Sequence, residues 1–291
     1  MQHRVIVKFV VVGVVLAAVP ALARPAEDAA RAFANGKALL AKVKFDEALQ
    51  AFGTAAKADA SNQEYRQAYA VLRQVIRMRE EIEKKQDPDQ WVSMARALRT
   101  FYHDHRIYSE SLPLDRRIHE EHLAPDSAAM LAETLLALGK NAEAAETLSN
   151  VDKKETTPRT NVLLGLSLAR QGRIDEAKTV ARKANVKDDA GPRVFYELAC
   201  LRALTGDPEA SLEALTRSFE LTPPSRLDTC KAEAKECKDF SAVANTTDFT
   251  DVLKTQSKVK ESKCSKGPGC GKCPRRAKCA GKSGENQKAT P

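Results

Sequence analysis

The amino-acid sequence predicts an all-α protein, specifically an α-solenoid built from consecutive helix pairs. Aromatic residues make up only 5% of the 291 residues, and the strong helix formers alanine, leucine, glutamate, lysine and arginine dominate the chain. Three prolines recur 33 and 34 residues apart, at Pro125, Pro158 and Pro192. Three glycines recur at the same two intervals, at Gly139, Gly172 and Gly206. A repeat of this length is typical of a chain that stacks similar helical units.

The first 23 residues have the three parts of a secretory signal peptide. Arg4 and Lys8 form a basic start, an apolar run follows, and the small residues Ala21 and Ala23 flank a leucine. The apolar run is shorter than the roughly 20 residues that span a bilayer, which favours a cleaved signal over a membrane anchor. We therefore expect cleavage after Ala23 and export to a periplasm or to the cell exterior, where disulfides are allowed.

Each recurring residue has a physical role in a helix pair. Proline at the first helical position already has the backbone angle that a helix needs, and it lacks an N–H that would stay unpaired. Glycine tolerates the left-handed conformation that ends a helix. A small residue follows each glycine by five positions and lets the second helix approach the first closely; these residues are Ala144, Ala177 and Ser211. Apolar residues three and four positions apart give each helix one buried stripe, as at Leu131, Leu135 and Leu138.

This pattern resembles the tetratricopeptide repeat (TPR) family, whose unit is an antiparallel pair of helices about 34 residues long. The family's small, small and large apolar positions match three consecutive units of this chain. The matching residues are Ala132, Ala144 and Leu148, then Gly165, Ala177 and Ala181, then Ala199, Ser211 and Leu215. Pro223 occupies the closing proline position. The resemblance covers residues 27–224 and implies about five units.

The upstream part of this repeat region is less regular. The residues that fit a first unit are Gly36, Leu39, Ala48, Phe52 and Ala55. Residues 62–85 predict a long amphipathic helix, and residues 91–98 fit the first helix of a second unit. The second helix of that unit, residues 108–122, is displaced by a few positions and contains Pro113. We therefore expect the second unit to be degenerate.

Residues 225–253 predict short helices that cap the array, since the end of a solenoid needs a terminal unit with one polar face. Four apolar residues of this segment are expected to cover the last repeat: Phe240, Val243, Phe249 and Val252. Residues 254–291 predict a basic, cysteine-rich tail with no packed structure unless a cross-link or metal is present. Residues 251–291 have a net charge of +8, which equals the net charge of the whole chain. The body is therefore nearly neutral.

Four of the seven cysteines lie in the tail, at Cys264, Cys270, Cys273 and Cys279. Their C-x5-C-x2-C-x5-C spacing allows three interpretations: disulfides, a zinc site of four thiolates, or a redox-active dithiol. The export signal favours disulfides. Because seven is odd, at least one thiol is free or intermolecular unless a metal is bound.

The other three cysteines give weaker signals. Cys200, on the first helix of the last repeat, is expected to be a small buried hydrophobic residue. Cys230 and Cys237 are two helical turns apart, about 10 Å along a helix axis. That distance exceeds the reach of a disulfide unless the chain bends between them, although each could pair with another cysteine.

No catalytic residue and no cofactor is predicted. The chain lacks the G-x-S-x-G, H-E-x-x-H and G-x-G-x-x-G motifs, and the body shows no nucleophile–base pair. The basic tail fits contact with an anionic surface. Residues 250–291 contain no aromatic side chain, and this absence, together with the export signal, argues against nucleic acid as a partner.

The resemblance implies a non-enzymatic scaffold that binds a partner peptide or helix on the concave face lined by the first helices. Mapping that face onto this chain gives Lys37, Glu133, Arg159, Tyr196 and, at an inner edge, Arg193. The competing interpretation is a metal-binding or thiol-redox protein that acts through the four tail cysteines, with zinc as its metal. The sequence leaves both interpretations open.

Overall fold

The computed structural model describes residues 24–84 and 87–260, and these residues confirm the predicted all-α fold. They form thirteen α-helices and one 3-10 turn (Lys238–Phe240), with no β-strand among them. The helices are α1 (Arg24–Ala41), α2 (Phe45–Ala58), α3 (Gln63–Ile82), α4 (Pro88–Asp104), α5 (Tyr108–Glu121), α6 (Pro125–Ala137), α7 (Asn141–Ser149), α8 (Pro158–Arg170), α9 (Ile174–Ala181), α10 (Pro192–Leu204), α11 (Pro208–Leu221), α12 (Pro224–Glu236) and α13 (Thr247–Val252). None of these helices combines the length and apolarity that crossing a bilayer requires. The expected signal peptide, residues 1–23, and the four tail cysteines lie outside the described residues.

The chain divides into two compact units, of which unit 1 ends at Gln171 and unit 2 begins at Gly172. In unit 1 each helix from α1 to α7 packs against the next along the chain, and α6 also packs against α8. In unit 2, α10 packs against α9, α11 and the 3-10 turn, and α11 packs against α12 and α13. Helices adjacent in sequence thus pack together within each unit, as the repeat pattern predicts.

The recurring prolines and glycines lie at the helix ends for which they were predicted. The prolines that begin α6, α8 and α10 are Pro125, Pro158 and Pro192. The φ angles of Gly139, Gly172 and Gly206 are +72°, +77° and +82°. These angles lie in the left-handed region, where glycine alone is free of steric cost.

The first two short turns have the same geometry without glycine. Val43 and Arg106 have φ angles of +63° and +58°, and each lies two residues before the next helix begins, as Gly139 does. In four turns the residue directly after the left-handed one donates its backbone N–H to the carbonyl five residues earlier. These bonds are 2.8 to 3.0 Å long and join Lys44 to Leu39, Ile107 to Tyr102, Lys140 to Leu135, and Asp207 to Arg202. This bond is that of a Schellman motif. The unit that was expected to be degenerate therefore keeps the regular backbone turn, with Arg106 in place of glycine.

Small residues set the closest approach between paired helices. A Cβ atom at Gly36 of α1 would lie 2.5 Å from the Phe52 ring of α2, so a larger residue would force the ring to move. In the last pair the Ser211 hydroxyl of α11 donates to the Ala199 carbonyl of α10 at 2.8 Å. Both of these residues are completely buried. The predicted small positions are thus contact points between helices.

Unit 1 has an apolar core that runs from α1 to α6. The Trp91 side chain is buried in this core, and the guanidinium carbon of Arg117 lies 3.9 Å from its ring centroid. Pro113 lies inside α5, where it removes one backbone hydrogen bond. The helix continues past the proline because Ile118, one turn further on, is completely buried in the core.

The segment after α11 covers α10, as the capping prediction requires. Phe240 is completely buried and packs edge-on against Tyr196, with ring centroids 5.8 Å apart. Phe249 lies 5.9 Å from Phe240, measured between ring centroids. Val243 is also buried, whereas Val252 is only half-buried. Aromatic packing therefore joins the cap to the last helix pair.

A buried carboxylate lies at the centre of unit 1. Asp115 of α5 is 0% exposed and accepts hydrogen bonds from Arg99 Nε at 2.8 Å, Ser111 Oγ at 3.0 Å and Thr134 Oγ1 at 2.5 Å. Burial raises the pKa of Asp115 above its usual value, although Arg99 and the two hydroxyls act in the opposite direction. The single hydroxyl proton of Thr134 is donated to Asp115. His103 Nε2, 2.8 Å from that hydroxyl, must therefore be the donor to it.

The same network makes further contacts on α6 and extends to one more helix, α8. Arg99 Nη2 donates to the Met130 carbonyl at 3.1 Å and to Glu133 Oε2 at 2.8 Å, both on α6. Arg159 of α8 donates to the same Glu133 oxygen at 3.0 Å. Two arginines and two carboxylates thus balance in charge, and they join α4, α5, α6 and α8.

We predict that Asp115→Ala lowers the free energy of unfolding by about 3 kcal/mol, because it removes one partner of a buried ion pair and leaves two arginines, Arg99 and Arg159, on the shared carboxylate of Glu133. Urea unfolding followed by circular dichroism measures the loss. The matched control is Asp28→Ala, which breaks the solvent-exposed pair between Asp28 and Arg31 and should change stability little. Equal losses in the two variants would contradict a central role for the buried carboxylate.

Candidate functional site

Unit 1 contains a cavity of about 660 Å³, which is within the usual size range of ligand and side-chain pockets. Its floor is apolar and consists of the buried residues Phe33, Leu40, Phe52, Leu72 and Phe101. Its rim is polar and consists of Lys37, Glu64, Gln67, Asp104, His105 and Arg106. These residues come from α1, α2, α3, α4 and the turn that follows α4. The cavity therefore depends on the packing of the first four helices.

An exposed valine lies on the wall of this cavity. Val71 of α3 is 41% exposed, while Leu72, the next residue, is buried in the floor. Also at the cavity, the Lys37 ammonium lies 3.3 Å from Glu64 Oε1 and 4.3 Å from the Phe33 ring centroid. The entrance thus combines apolar surface with a cation and an anion.

The backbone is strained at one point of the rim. Arg106 has a φ angle of +58°, in the region that Gly139 occupies in a later turn. A side chain in this conformation costs of the order of 1 kcal/mol, and such strain is commonly found at binding sites. Arg106 is one of the residues that line the cavity.

His105 is the titratable ring of the rim. Burial lowers the pKa of His105; the charge of Lys37 acts in the same direction, and Asp104 opposes both. The ring packs against Phe101, with centroids 4.4 Å apart. The His105 ring therefore lies against Phe101 of the apolar floor.

Two of the five predicted groove residues are brought together inside unit 1. Glu133 and Arg159 form a 3.0 Å ion pair, and Glu133 also binds Arg99. Lys37 is placed elsewhere in the unit, at the cavity, where it pairs with Glu64. The structure thus gives Glu133 and Arg159 a structural role within the chain and leaves Lys37 at an accessible surface.

The other two predicted groove residues belong to unit 2, and one of them has little accessible surface. Arg193 binds Glu197 at 3.3 Å and Glu233 at 3.0 Å. Tyr196 is only 7% exposed because Phe240 of the cap packs against it. Burial raises the pKa of the Tyr196 phenol. A partner therefore has almost no contact with Tyr196 while the cap is in place.

Sequence reasoning missed the cavity because its floor consists of residue types that usually fill a core. Phe33, Leu40 and Phe101 have the same periodicity as buried residues that leave no space between them. One signal was available: Arg106 occupies the turn position at which later units have glycine. This signal does not single out the cavity, since Val43 replaces glycine in the same conformation and does not line it.

No protein-family model matches this chain, and no curated protein matches it. Three solved structures are similar to it at low identity. A TPR protein of Thermus thermophilus is 16% identical, with a TM-score of 0.37, and covers 69% of this chain and 98% of its own. YrrB, described as a TPR protein with an unusual peptide-binding site, is 18% identical, with a TM-score of 0.31, and covers 76% and 100%. A TPR protein of Parabacteroides merdae is 10% identical, with a TM-score of 0.40, and covers 79% and 98%.

All three of these proteins are TPR proteins, the family that the repeat pattern of this sequence resembles. The helix-pair fold of this chain is supported by its own turns and helix packing.

We predict that His105→Gln weakens the pH dependence of stability. The pKa of His105 is lowered by folding, so the unfolded chain binds the proton first as the pH falls. Stability due to the neutral ring is complete above about pH 6.5 and is lost progressively below it. Urea midpoints at pH 7.5 and pH 5 should differ less in the variant than in the parent. His122→Gln, at an exposed position after α5, is the control and should leave the parent's difference unchanged.

Proposed function

We propose that this chain is a non-enzymatic scaffold, acting outside the cytoplasm, that binds a partner protein or peptide through the cavity of unit 1. The observation that carries the proposal is an apolar cavity of about 660 Å³ with charges of both signs on its rim. Export is supported by the signal-like first 23 residues.

The composition of the cavity favours binding over catalysis. Its lining residues include no serine, threonine or cysteine that could act as a nucleophile. Its one histidine has a lowered pKa because of burial and is adjacent to aspartate and arginine side chains of the rim. Among the described residues, the cavity thus offers shape and charge rather than a reactive group.

The partner that fits best is a peptide segment with one bulky apolar side chain. That side chain would occupy the floor between Phe33 and Phe101, and burying it contributes about 1.5–3 kcal/mol of binding free energy. The rim cations Lys37 and Arg106 and the anions Glu64 and Asp104 would contact polar groups on either side of the anchor. Charged rims add selectivity more than affinity.

We predict that Val71→Arg weakens peptide binding about tenfold or more, because it replaces apolar wall surface with a charge. The probe is a set of peptides selected from a random displayed library on the purified chain, with affinity measured by fluorescence anisotropy. Leu123→Arg is the matched control, since Leu123 is 80% exposed and does not line the cavity. Enriched peptides should share a leucine, phenylalanine or tryptophan.

Unchanged affinity in Val71→Arg, or an equal loss in Leu123→Arg, would contradict binding in the cavity. Charge reversal at Arg159 is a poorer test, because it would also break the ion pair with Glu133.

Deleting residues 261–291 separates this proposal from the one based on the tail cysteines. The deletion keeps Lys258, whose ammonium binds Glu220 of α11, and should leave peptide affinity unchanged. A tail-dependent function would be lost with it.

A further inference from the structure

Two thiols from distant parts of the sequence meet in unit 2. Cys200 lies in the middle of α10 and is 1% exposed. Cys237 follows the last residue of α12 and is half-buried. Their sulfur atoms are 3.9 Å apart, although 37 residues separate them in sequence. The structure confirms that Cys200 is buried, and it places next to it Cys237, for which the sequence had left pairing with another cysteine open.

We infer that Cys200 and Cys237 are a disulfide-forming pair that covalently joins α10 to the capping segment. A disulfide bond is about 2.05 Å long, so the two sulfurs need to approach by roughly 1.9 Å. They belong to different elements, and the 3-10 turn that follows Cys237 already packs against α10. The bond therefore links two segments that are in contact in the fold, and it needs no large movement of either.

The surroundings of the pair favour Cys237 as the attacking group. A hydrogen bond from Cys200 is the main cause that lowers the pKa of Cys237 to about 7, and the Asp239 N–H and the Tyr196 hydroxyl add to it. Burial and the Asp239 carboxylate act in the opposite direction. The third cysteine of the described residues differs, since burial raises the pKa of Cys230. Thiolates, and not thiols, attack disulfides.

The reaction requires a disulfide as the oxidant, such as oxidised glutathione. The Cys237 thiolate attacks one sulfur of that disulfide and releases one glutathione thiolate, which takes up a proton. Cys200 then loses its proton and attacks the Cys237 sulfur, and the second glutathione leaves. Two protein thiols become one disulfide while one glutathione disulfide becomes two thiols.

The cross-link would act on the cap. Closing a loop of this length restricts the unfolded chain, and the segment held in place includes Phe240, which covers Tyr196. Zinc is the competing occupant, since a carboxylate oxygen of Asp239 lies within 4.8 Å of both sulfurs. A structural zinc site needs four protein ligands, whereas this group offers three.

The test uses the full chain with the four tail cysteines changed to serine, so that they cannot exchange with the pair. After incubation with oxidised glutathione, peptide mapping without reductant should show one linked peptide that contains Cys200 and Cys237. The thermal midpoint should rise by about 10 °C, and dithiothreitol should reverse the rise. Cys230→Ser is the matched control and should form the same linked peptide.

Three results would overturn the inference. After oxidation and denaturation, both thiols could still react fully with an alkylating reagent, which would mean that no disulfide had formed. Alternatively, Cys230 could replace one of them in the linked peptide. Zinc alone could protect the thiols, with protection lost to a chelator and no linked peptide formed. The mapping is done with Cys200 and Cys237 both present, so it does not depend on whether Cys200→Ser or Cys237→Ser folds.

Discussion

The fold depends on a single backbone constraint, the left-handed residue that ends the first helix of a pair. Without it the chain could not reverse within three residues, and the small residues of the two helices would not meet. Gly139, Gly172 and Gly206 satisfy the constraint without steric cost. Val43 and Arg106 satisfy it against the preference of their side chains. The packing of neighbouring helices compensates for that cost, since the regular turn persists in both places.

The helix pairs from Pro125 onwards could be predicted because proline, glycine and small residues report local backbone geometry directly. The unit that contains Pro113 looked degenerate because its second helix is displaced by a few positions and includes that proline. Its turn nevertheless has the regular geometry, with Arg106 in place of glycine, and a side-chain identity does not reveal a φ angle. Asp115 could not be recognised as buried, since partners such as Arg99 and Thr134 come from other helices. The same reason hid the contact between Cys200 and Cys237. Contacts between distant segments depend on the assembled fold, which a periodic pattern does not specify.

The two units place their distinctive chemistry differently. Unit 1 has an apolar cavity whose rim is charged, and its buried ion pairs fix the helices next to it. Unit 2 has a thiol pair at the junction between its last helix pair and its cap. The predicted groove residues divide accordingly: Lys37 lies at the cavity, Glu133 and Arg159 stabilise unit 1, and Tyr196 is beneath the cap. The proposed binding surface and the structural support are thus provided by different residues of one repeat pattern.

The charge network of unit 1 has a consequence for how this protein could change over evolution. Repeat proteins often gain or lose whole units, because each unit contacts only its neighbours. Here Glu133 of α6 binds arginines from both α4 and α8. Removing the α6–α7 pair would leave both arginines and Asp115 without their full set of partners. Loss of this helix pair would therefore remove buried ion pairs as well as apolar contacts.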